Sequence, residues 1–352
     1  MLKLLSIFLL LLLSSGAARA QNTSGVPDEP EIRVAAASDG WRMIAGGERT
    51  GCAFGTPYSF FHRPGADATR LLIYFQGGGA CWSWVSCSGM FDTSVERTEL
   101  SELRGVFDYS NPANPFRDYG TLFIPYCTGD VHVGAAEVSY GENAGSRPLA
   151  HHGARNVDAA LRWAKPQLAE PRQIVVAGAS AGSYGAIFHA PRIAALYPSA
   201  DLVTIGDSGV PLLHDYPTIL ERWGAGAVLR SIWKADADAP LTLEQAYREA
   251  AATPRMRAVV QITSDRDAVQ SAFYLISSSP GWREDSHALL DGLERYGANI
   301  HSFVVAGTDH GLLRTDAFYE YEANEMPLVE WIRALIAGER VESVRCPDCS
   351  VP

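Results

Sequence analysis

Ser180 is flanked by small residues in a segment that could form a turn and expose its hydroxyl group as a nucleophile. Residues 178–182 read Gly-Ala-Ser-Ala-Gly, the G-x-S-x-G pattern, with Ser180 at the centre. An apolar run precedes the motif and a helical pattern follows it, and such a sharp strand-to-helix turn exposes the serine hydroxyl above a sheet. Glycine is needed at 178 and 182 because a side chain there would collide with the neighbouring strand and helix. The pattern predicts Ser180 as a nucleophile that attacks a carbonyl carbon; the alternative is an ordinary small-residue turn.

A histidine suited to act as a general base follows the last predicted strand. His310 lies in the glycine-flanked loop Gly307-Thr308-Asp309-His310-Gly311. A serine hydroxyl is activated when an adjacent imidazole takes its proton. The other histidines lie before, beside or inside predicted elements, where no base is expected. We therefore expect His310 to be the base, and the alternative is a solvent-exposed loop histidine.

Three aspartates are candidates for the carboxylate that orients this imidazole and stabilises its charged form. In α/β-hydrolases the order along the chain is serine, acid, histidine. Asp265 follows the fifth predicted strand directly and is the preferred acid, Asp267 is the second choice, and Asp207, after the fourth strand, is the third. An aspartate that only pairs with Arg266 is the alternative reading.

A glycine loop and the nucleophile turn can together supply backbone donors for a tetrahedral intermediate. Prearranged N–H groups stabilise the oxyanion of acyl transfer. One donor is expected at Ala181, the residue after the nucleophile. The others are expected at Gly78 and Gly79, in the Gln76-Gly77-Gly78-Gly79-Ala80 loop after the first predicted strand, because glycines let the backbone approach a substrate and adopt positive φ. A phosphate-binding loop is the alternative, but no Lys-Ser or Lys-Thr pair follows.

The elements that must position these residues alternate along the chain. Six apolar runs read as strands: residues 71–75, 121–126, 173–177, 202–205, 258–262 and 300–305. Five segments show helical spacing: residues 156–168, 181–196, 241–252, 286–296 and 325–336. Such alternation predicts a mainly parallel central sheet with helices on both faces, the α/β-hydrolase fold, in a single catalytic domain over 31–352. Residues 209–255 are longer than one crossover needs and are expected to form a partly helical cap over the site.

The start of the chain predicts export. Residues 1–20 combine a basic start, a short apolar stretch and the end Ala18-Arg19-Ala20, which is typical of a secretory signal peptide, and residues 21–30 read as a flexible lead-in. The apolar stretch is shorter than the roughly 20 residues needed to span a bilayer, so no membrane anchor is expected. We therefore expect a secreted or periplasmic protein.

Charge and cysteine content narrow the partners and the compartment. With 29 basic and 40 acidic residues the net charge is -11, which argues against nucleic acid and anionic membranes as partners. An even number of cysteines in an exported chain favours disulfides over a zinc site. The two pairs close in sequence, Cys81 with Cys87 and Cys346 with Cys349, leave Cys52 with Cys127, which is one of several possible connectivities.

With these residues identified, the chain resembles the pectin acetylesterase family between about Trp41 and Leu313. The resemblance lies in Gly77–Cys81 with Cys87 at the matching distance, in Phe123–Val131, in Gly178–Gly182 and in Asp207–Gly209. It implies a Ser180–Asp265–His310 triad, donors at Gly78, Gly79 and Ala181, and the disulfides Cys52–Cys127 and Cys81–Cys87. The chain departs from the family pattern at Ala80, where many members have Trp; Trp82 and Trp84 are expected to fill that space.

These observations predict an exported serine carboxylic ester hydrolase that needs no metal or cofactor. The expected reaction removes O-acyl groups, above all O-acetyl groups, from pectin or another polysaccharide through an acyl-enzyme. Three alternatives stay open: a serine peptidase, a long-chain lipid deacylase on the same fold, and a catalytically inactive glycan-binding protein.

Overall fold

The computed structural model describes residues 32–33, 40–95, 100, 103–141, 148–168, 170–210, 215–237, 241–277 and 280–346. The predicted signal peptide (1–20) and lead-in (21–30) lie outside the described residues, as does Cys349 of the third predicted disulfide.

The described strands, in chain order, are β1 (Ile32–Arg33), β2 (Arg42–Ala45), β3 (Ser59–Arg63), β4 (Asp67–Phe75), β5 (Tyr119–Ile124), β6 (Ala136–Val138), β7 (Leu149–His151), β8 (Gln173–Ala179), β9 (Asp201–Asp207), β10 (Met256–Ser264), β11 (Ile300–Val305), β12 (Glu322–Ala323), β13 (Met326–Pro327) and β14 (Val344–Arg345). The described α-helices are α1 (Trp84–Cys87), α2 (Gly153–Gln167), α3 (Ala181–Leu196), α4 (Tyr216–Arg222), α5 (Ala225–Trp233), α6 (Leu243–Ala251), α7 (Ala268–Ile276), α8 (Trp282–Glu294) and α9 (Leu328–Ala337). All six strands and all five helices predicted from the sequence are present, although several begin or end a few residues away.

One large sheet organises the molecule, with strand order β1-β2-β3-β5-β4-β8-β9-β10-β11-β14. The run from β5 to β14 is parallel, and β1, β2 and β3 add an antiparallel edge. A mainly parallel sheet with helices around it is the α/β-hydrolase fold that the sequence predicts. The carboxyl ends of β4, β8, β9, β10 and β11 meet at one edge, where ligand sites of open parallel sheets lie.

The central strands read as unbroken apolar runs because both faces of the sheet are covered. In β4, Leu71, Ile73 and Phe75 pack into one hydrophobic core, whereas Leu72 and Tyr74 pack into the core on the opposite face. The first core is covered by α2, α3, α5 and α6, and the second mainly by α9. Because neither face of the central sheet is exposed to solvent, these strands lack the alternation of apolar and polar residues that is typical of a half-exposed sheet.

Two predicted disulfides are confirmed and brace the segments beside the glycine loop. Cys81–Cys87 closes a short loop after β4 that contains α1, and Cys52–Cys127 joins residues 75 positions apart in sequence. Such bonds stabilise a fold chiefly by restricting the unfolded chain. No helix of the described segments is both long and apolar enough to cross a membrane.

Candidate active site

Ser180 occupies the sharp turn between β8 and α3 that the sequence predicts. Its backbone has φ 56° and ψ −123°, a conformation that L-residues rarely adopt, and its N–H donates to the Asp207 carbonyl at 2.8 Å. Such strain is costly, on the order of 1–3 kcal/mol, and persists only where surrounding structure enforces it. A Cβ at Gly178 would lie 2.2 Å from the Gly182 carbonyl oxygen, and one at Gly182 would lie 2.0 Å from that of Phe75. The chain must therefore place glycines on both sides of Ser180.

The structure joins His310 to Asp267. Nδ1 of His310 lies 2.9 Å from Oδ1 and 2.8 Å from Oδ2 of this carboxylate. Asp267 is the N-cap of α7, and its Oδ1 also accepts hydrogen bonds from the N–H groups of Val269 and Gln270. The carboxylate is fully buried, whereas the imidazole keeps 14% of its side-chain surface exposed. The contact through Nδ1 leaves Nε2 as the ring nitrogen for other chemistry.

The preferred acid of the sequence analysis, Asp265, does not contact His310. Its carboxylate is fully buried and pairs with Arg283 Nε at 2.7 Å and His287 Nε2 at 2.8 Å, both on α8. A turn separates the two aspartates, in which the Asp267 N–H reaches back to the Ser264 carbonyl at 3.4 Å. The two carboxylates therefore face different elements, and the expectation that Asp265 orients the base is wrong.

The third candidate acid, Asp207, supports the loop that carries His310. Its carboxylate accepts hydrogen bonds from the N–H groups of Leu312 and Leu313 at 3.0 and 2.9 Å. The Ser208 hydroxyl donates to Asp207 and accepts from the Gly311 N–H at 2.8 Å. Burial raises the pKa of Asp207, and these donors partly oppose that rise. The Asp-Ser-Gly motif at 207–209 thus fixes the backbone directly after His310.

Ser180 and His310 line the same pocket, which has a volume of about 60 Å³. Gly79 and Ala181 also reach this pocket, and Gly78 does not. The other lining residues are mostly apolar or aromatic: Ala80, Trp82, Val131, Tyr184, Ser208, Gly209, Val210, Val269, Gln270, Phe273, Tyr274 and Trp282. Among the described residues of the predicted cap, 209–255, only Gly209 and Val210 contribute. The wall comes instead from α7 and α8, later in the chain.

One peptide of the glycine loop is fixed by a hydrogen bond to Asp92, and its N–H, that of Gly79, points away from Asp92. The Gly78 carbonyl accepts from the Asp92 N–H at 2.9 Å, so the Gly79 N–H of the same trans peptide points in the opposite direction. Gly78 and Gly79 have φ of 154° and 75°, and a Cβ on Gly79 would lie 1.9 Å from the Met90 carbonyl oxygen. Ala181 opens α3, so its N–H has no partner within the helix. Gly79 and Ala181 are thus the candidate donors at the pocket.

His132 anchors Gln76, the first residue of the glycine loop, and no sequence prediction includes it. Its Nε2 lies 2.9 Å from the Gln76 carbonyl oxygen, to which the ring donates. Burial lowers the pKa of His132 to about 4, so the ring is neutral near pH 7. Val131 and His132 both have positive φ, and Val131 lines the pocket. No motif marks these positions, because the contact joins residues that are 56 apart in sequence.

Several further residues of the site are absent from the sequence predictions. Gln270 contacts Asp267, and Phe273, Tyr274 and Trp282 form the wall beside it. They belong to α7, which is not predicted from the sequence, and to the start of α8, which begins four residues before the helix predicted over 286–296. Residues 272–276 form a continuous apolar run, and such a run does not distinguish a helix that lines a pocket from a helix that packs in the core. Among the described residues, no group of His, Cys, Asp and Glu is arranged to hold a metal ion.

Comparison with known proteins identifies a family and several relatives of this chain. The family model described as pectinacetylesterase matches residues 43–234. The human palmitoleoyl-protein carboxylesterase NOTUM is 25% identical over 171 residues, which are 45% of this chain and 34% of that protein. The palmitoleoyl-protein carboxylesterase NOTUM of Schmidtea mediterranea is 23% identical over 154 residues, which are 40% of this chain and 28% of that protein. The chain thus matches about a third of the length of these curated relatives.

Two further comparisons concern an inactive relative and the fold. The inactive palmitoleoyl-protein carboxylesterase notum1b of Danio rerio is 25% identical over 91 residues, 24% of this chain and 66% of that protein. The crystal structure of the Wnt deacylase Notum from Drosophila superposes with a TM-score of 0.64 at 13% identity, over 86% of this chain and 95% of that chain. At this identity the likeness concerns the fold alone. Because the family model spans more than half of the sequence, the chain belongs to the pectinacetylesterase family.

Proposed function

We propose that this protein is an exported serine carboxylic ester hydrolase that releases short O-acyl groups, above all O-acetyl groups, through an acyl-enzyme. The observation that carries the proposal is the pocket shared by Ser180, in its strained turn, and His310, whose Nδ1 is bonded to the buried Asp267. Membership of the pectinacetylesterase family supports ester chemistry. The two disulfides are in keeping with an oxidising compartment outside the cytosol.

In the proposed mechanism, Asp267 holds the proton on Nδ1 of His310, so that Nε2 can accept the proton of Ser180. The Ser180 oxygen attacks the ester carbonyl and a tetrahedral intermediate forms. The N–H groups of Gly79 and Ala181 stabilise its negative oxygen, and Gly78 fixes the loop by accepting the Asp92 N–H. His310 then protonates the leaving alcohol. Water activated by the same imidazole releases the acid from the acyl-enzyme and restores Ser180.

The size of the pocket favours a short acyl group. Its volume is about 60 Å³, whereas an apolar cavity that admits benzene measures about 150 Å³. Trp82 and Phe273 close one side with ring centroids 5.9 Å apart, and Trp282 is buried against the same space. An acetyl group fits such a volume and a long acyl chain does not. The long-chain substrate indicated by the names of the NOTUM relatives would therefore need a rearranged wall.

The alcohol part of the substrate is proposed to be a sugar hydroxyl of an acetylated polysaccharide, pectin or another. Support comes from the family description and from the small volume of the pocket, about 60 Å³, which suits the acyl group alone. The net charge of -11 disfavours nucleic acid and anionic lipid surfaces as partners.

The test is hydrolysis of p-nitrophenyl esters from acetate to palmitate by the wild type and by Ser180→Ala. We expect turnover to be highest on acetate, to fall steeply beyond butyrate, and to be lost in Ser180→Ala while the fold is retained by circular dichroism. Turnover peaking on palmitate would favour the long-chain deacylase. Hydrolysis of peptide amides but not esters would favour a peptidase. Folded wild-type protein without turnover and without reaction with a fluorophosphonate would favour an inactive binder.

A further inference from the structure

We propose that Gln270 is a positioning residue, which holds the Asp267 carboxylate in its orientation toward His310 by bridging it to the backbone of the pocket wall at Val210. This role rests on the proposed triad and adds to it a residue that acts through its hydrogen bond to Asp267.

The two oxygens of Asp267 are held differently. Oδ1 accepts main-chain hydrogen bonds from the first turn of α7, from the N–H groups of Val269 at 3.0 Å and Gln270 at 2.9 Å. Oδ2 accepts from the side-chain Nε2 of Gln270 at 2.8 Å. His310 Nδ1 contacts both oxygens. Apart from His310, the donor described for Oδ2 is therefore the Gln270 side chain.

The other atoms of the Gln270 amide are also engaged. Oε1 accepts from the Val210 N–H at 2.6 Å, and Nε2 also donates to Thr263 Oγ1 at 3.0 Å. The orientation of the amide follows from chemistry, since a backbone N–H only donates and an ionised carboxylate only accepts. An amide fixed at both ends can hold its neighbour in one orientation.

Gln270 lies where a loss of this bridge would be felt at the reaction centre. It is 9% exposed and lines the pocket together with Val210, Ser180 and His310. Without its Nε2, the buried Oδ2 loses a donor, and rotation of the carboxylate about its Cβ–Cγ bond is then resisted only by the hydrogen bonds to Oδ1 and by the contact with His310 itself. The His310 imidazole then loses a fixed partner. Small displacements of the imidazole relative to Ser180 reduce the rate strongly.

The charges that face the imidazole are Asp267, in contact, and Asp207, whose carboxylate interacts electrostatically with His310. Tyr184 faces Asp267, but burial raises the pKa of this phenol far above its ordinary value, so that it stays neutral. An N–H donated to Asp267 offsets part of the carboxylate charge. Removing that donor leaves more negative charge beside His310 and favours the imidazolium, which moves the rising limb of the pH–rate profile to higher pH.

The experiment compares Gln270→Met, which keeps the shape but removes both polar atoms, with Gln270→Glu, which keeps the shape and adds a charge. Gln261→Met is the matched control. It removes another buried glutamine, which bonds to Tyr247 and Ser183 and to no member of the triad. Turnover of p-nitrophenyl acetate is measured from pH 5 to 9 beside Ser180→Ala. The low-field proton resonance of the His–Asp hydrogen bond is recorded by NMR on each folded variant, with or without turnover.

We expect Gln270→Met to lower kcat by about 10- to 100-fold, with KM changed less than about threefold. We also expect its pH midpoint to lie higher and its low-field resonance to be displaced, with a larger midpoint shift in Gln270→Glu. The inference is overturned if both variants match Gln261→Met in kcat, midpoint and resonance. If Ser180→Ala is as active as the wild type, the proposed function fails instead. The resonance still decides the role of Gln270 in that case: displacement supports it and an unchanged resonance refutes it.

Discussion

At the scale of single residues, two aspartates only two positions apart have different partners. Asp267 caps α7 and contacts His310, whereas Asp265 is enclosed by Arg283 and His287. Both carboxylates are fully buried, so burial does not distinguish them. The partner that each one meets decides its role, and this provides a matched pair of substitutions.

We expect Asp267→Asn to reduce kcat on p-nitrophenyl acetate by roughly 10³- to 10⁴-fold, because the amide no longer stabilises the required tautomer and charge of the base. Asp265→Asn should retain kcat within about tenfold. It should instead lower the free energy of unfolding by roughly 1–3 kcal/mol, a value below that of a fully buried pair because Arg283 stays more than a third exposed. Steady-state kinetics and thermal unfolding of both variants measure these effects. The reverse pattern, with Asp265→Asn inactive, would contradict the assignment.

At the scale of elements, α7 and α8 combine support for the proposed triad with the wall of the proposed acyl pocket. α7 begins at the capping aspartate and contributes Phe273 to the wall. α8 begins with Trp282 and is anchored to Asp265 through Arg283, the next residue, and His287. Asp265, predicted from the sequence as the catalytic acid, therefore fixes the helix that bears one of the two tryptophans of the pocket wall. Acyl-chain selectivity is expected to depend on this helix start.

Trp282→Ala should enlarge the pocket and shift selectivity toward longer acyl chains. We expect the ratio of kcat/KM on octanoate to kcat/KM on acetate to rise by at least tenfold, since a single methylene contributes about 0.8 kcal/mol when it becomes buried. The control is Trp84→Ala, which removes a tryptophan that is 67% exposed and does not line the pocket. Equal selectivity of wild type, Trp282→Ala and Trp84→Ala across the ester series would exclude Trp282 from the acyl wall.

At the scale of the whole molecule, buried neutral histidines link the stability of the fold to pH. Burial lowers the pKa of His62 and His132 to about 4 and that of His189 to about 3. The unfolded chain binds protons at these side chains below about pH 6.5, whereas the folded chain does not until the pH falls near 3–4. Because the unfolded state binds more protons in this range, stability falls as the pH decreases.

We expect the melting temperature to drop progressively between about pH 6.5 and pH 4. His189→Gln can keep the hydrogen bond to the His132 carbonyl, 2.9 Å from Nε2 in the wild type, but does not titrate. Its melting temperature should therefore depend less steeply on pH over this range, even if stability at pH 7.5 is lower. Differential scanning calorimetry at pH 7.5, 6, 5 and 4 measures both slopes. Parallel curves for the two proteins would show that His189 does not contribute to the acid sensitivity.

Much of the fold is readable in the sequence because its signals are local. The apolar runs of the parallel strands need burial on two faces, and this requirement is visible in each run by itself. The antiparallel edge strands β2 and β3 and the helices α4, α5 and α7 are not predicted. These strands and helices are short. Their apolar residues contact several neighbouring segments and do not form one continuous apolar face. α7 is nine residues long, and its apolar side chains are divided between core, pocket and surface.

The sequence by itself determined the candidate residues whose proposed role depends on the local backbone. Ser180 needs a strained turn between close-packed glycines, and the glycines at 78 and 79 permit a backbone that other residues resist. These requirements are set within a few positions of each residue. His310 was identified in the same way, from its loop after the last strand.

Only the tertiary structure decided which acid meets His310, which glycine reaches the pocket and how large that pocket is. Each of these depends on contacts between segments far apart in sequence, such as Gln270 with Val210 or Asp265 with α8. The choice between Asp265 and Asp267 depends on where α7 begins and on the charges that α8 brings to the first carboxylate. The local sequence does not encode such packing. Asp265 and Asp267 are two positions apart, and they acquire different partners only when the surrounding helices are in place.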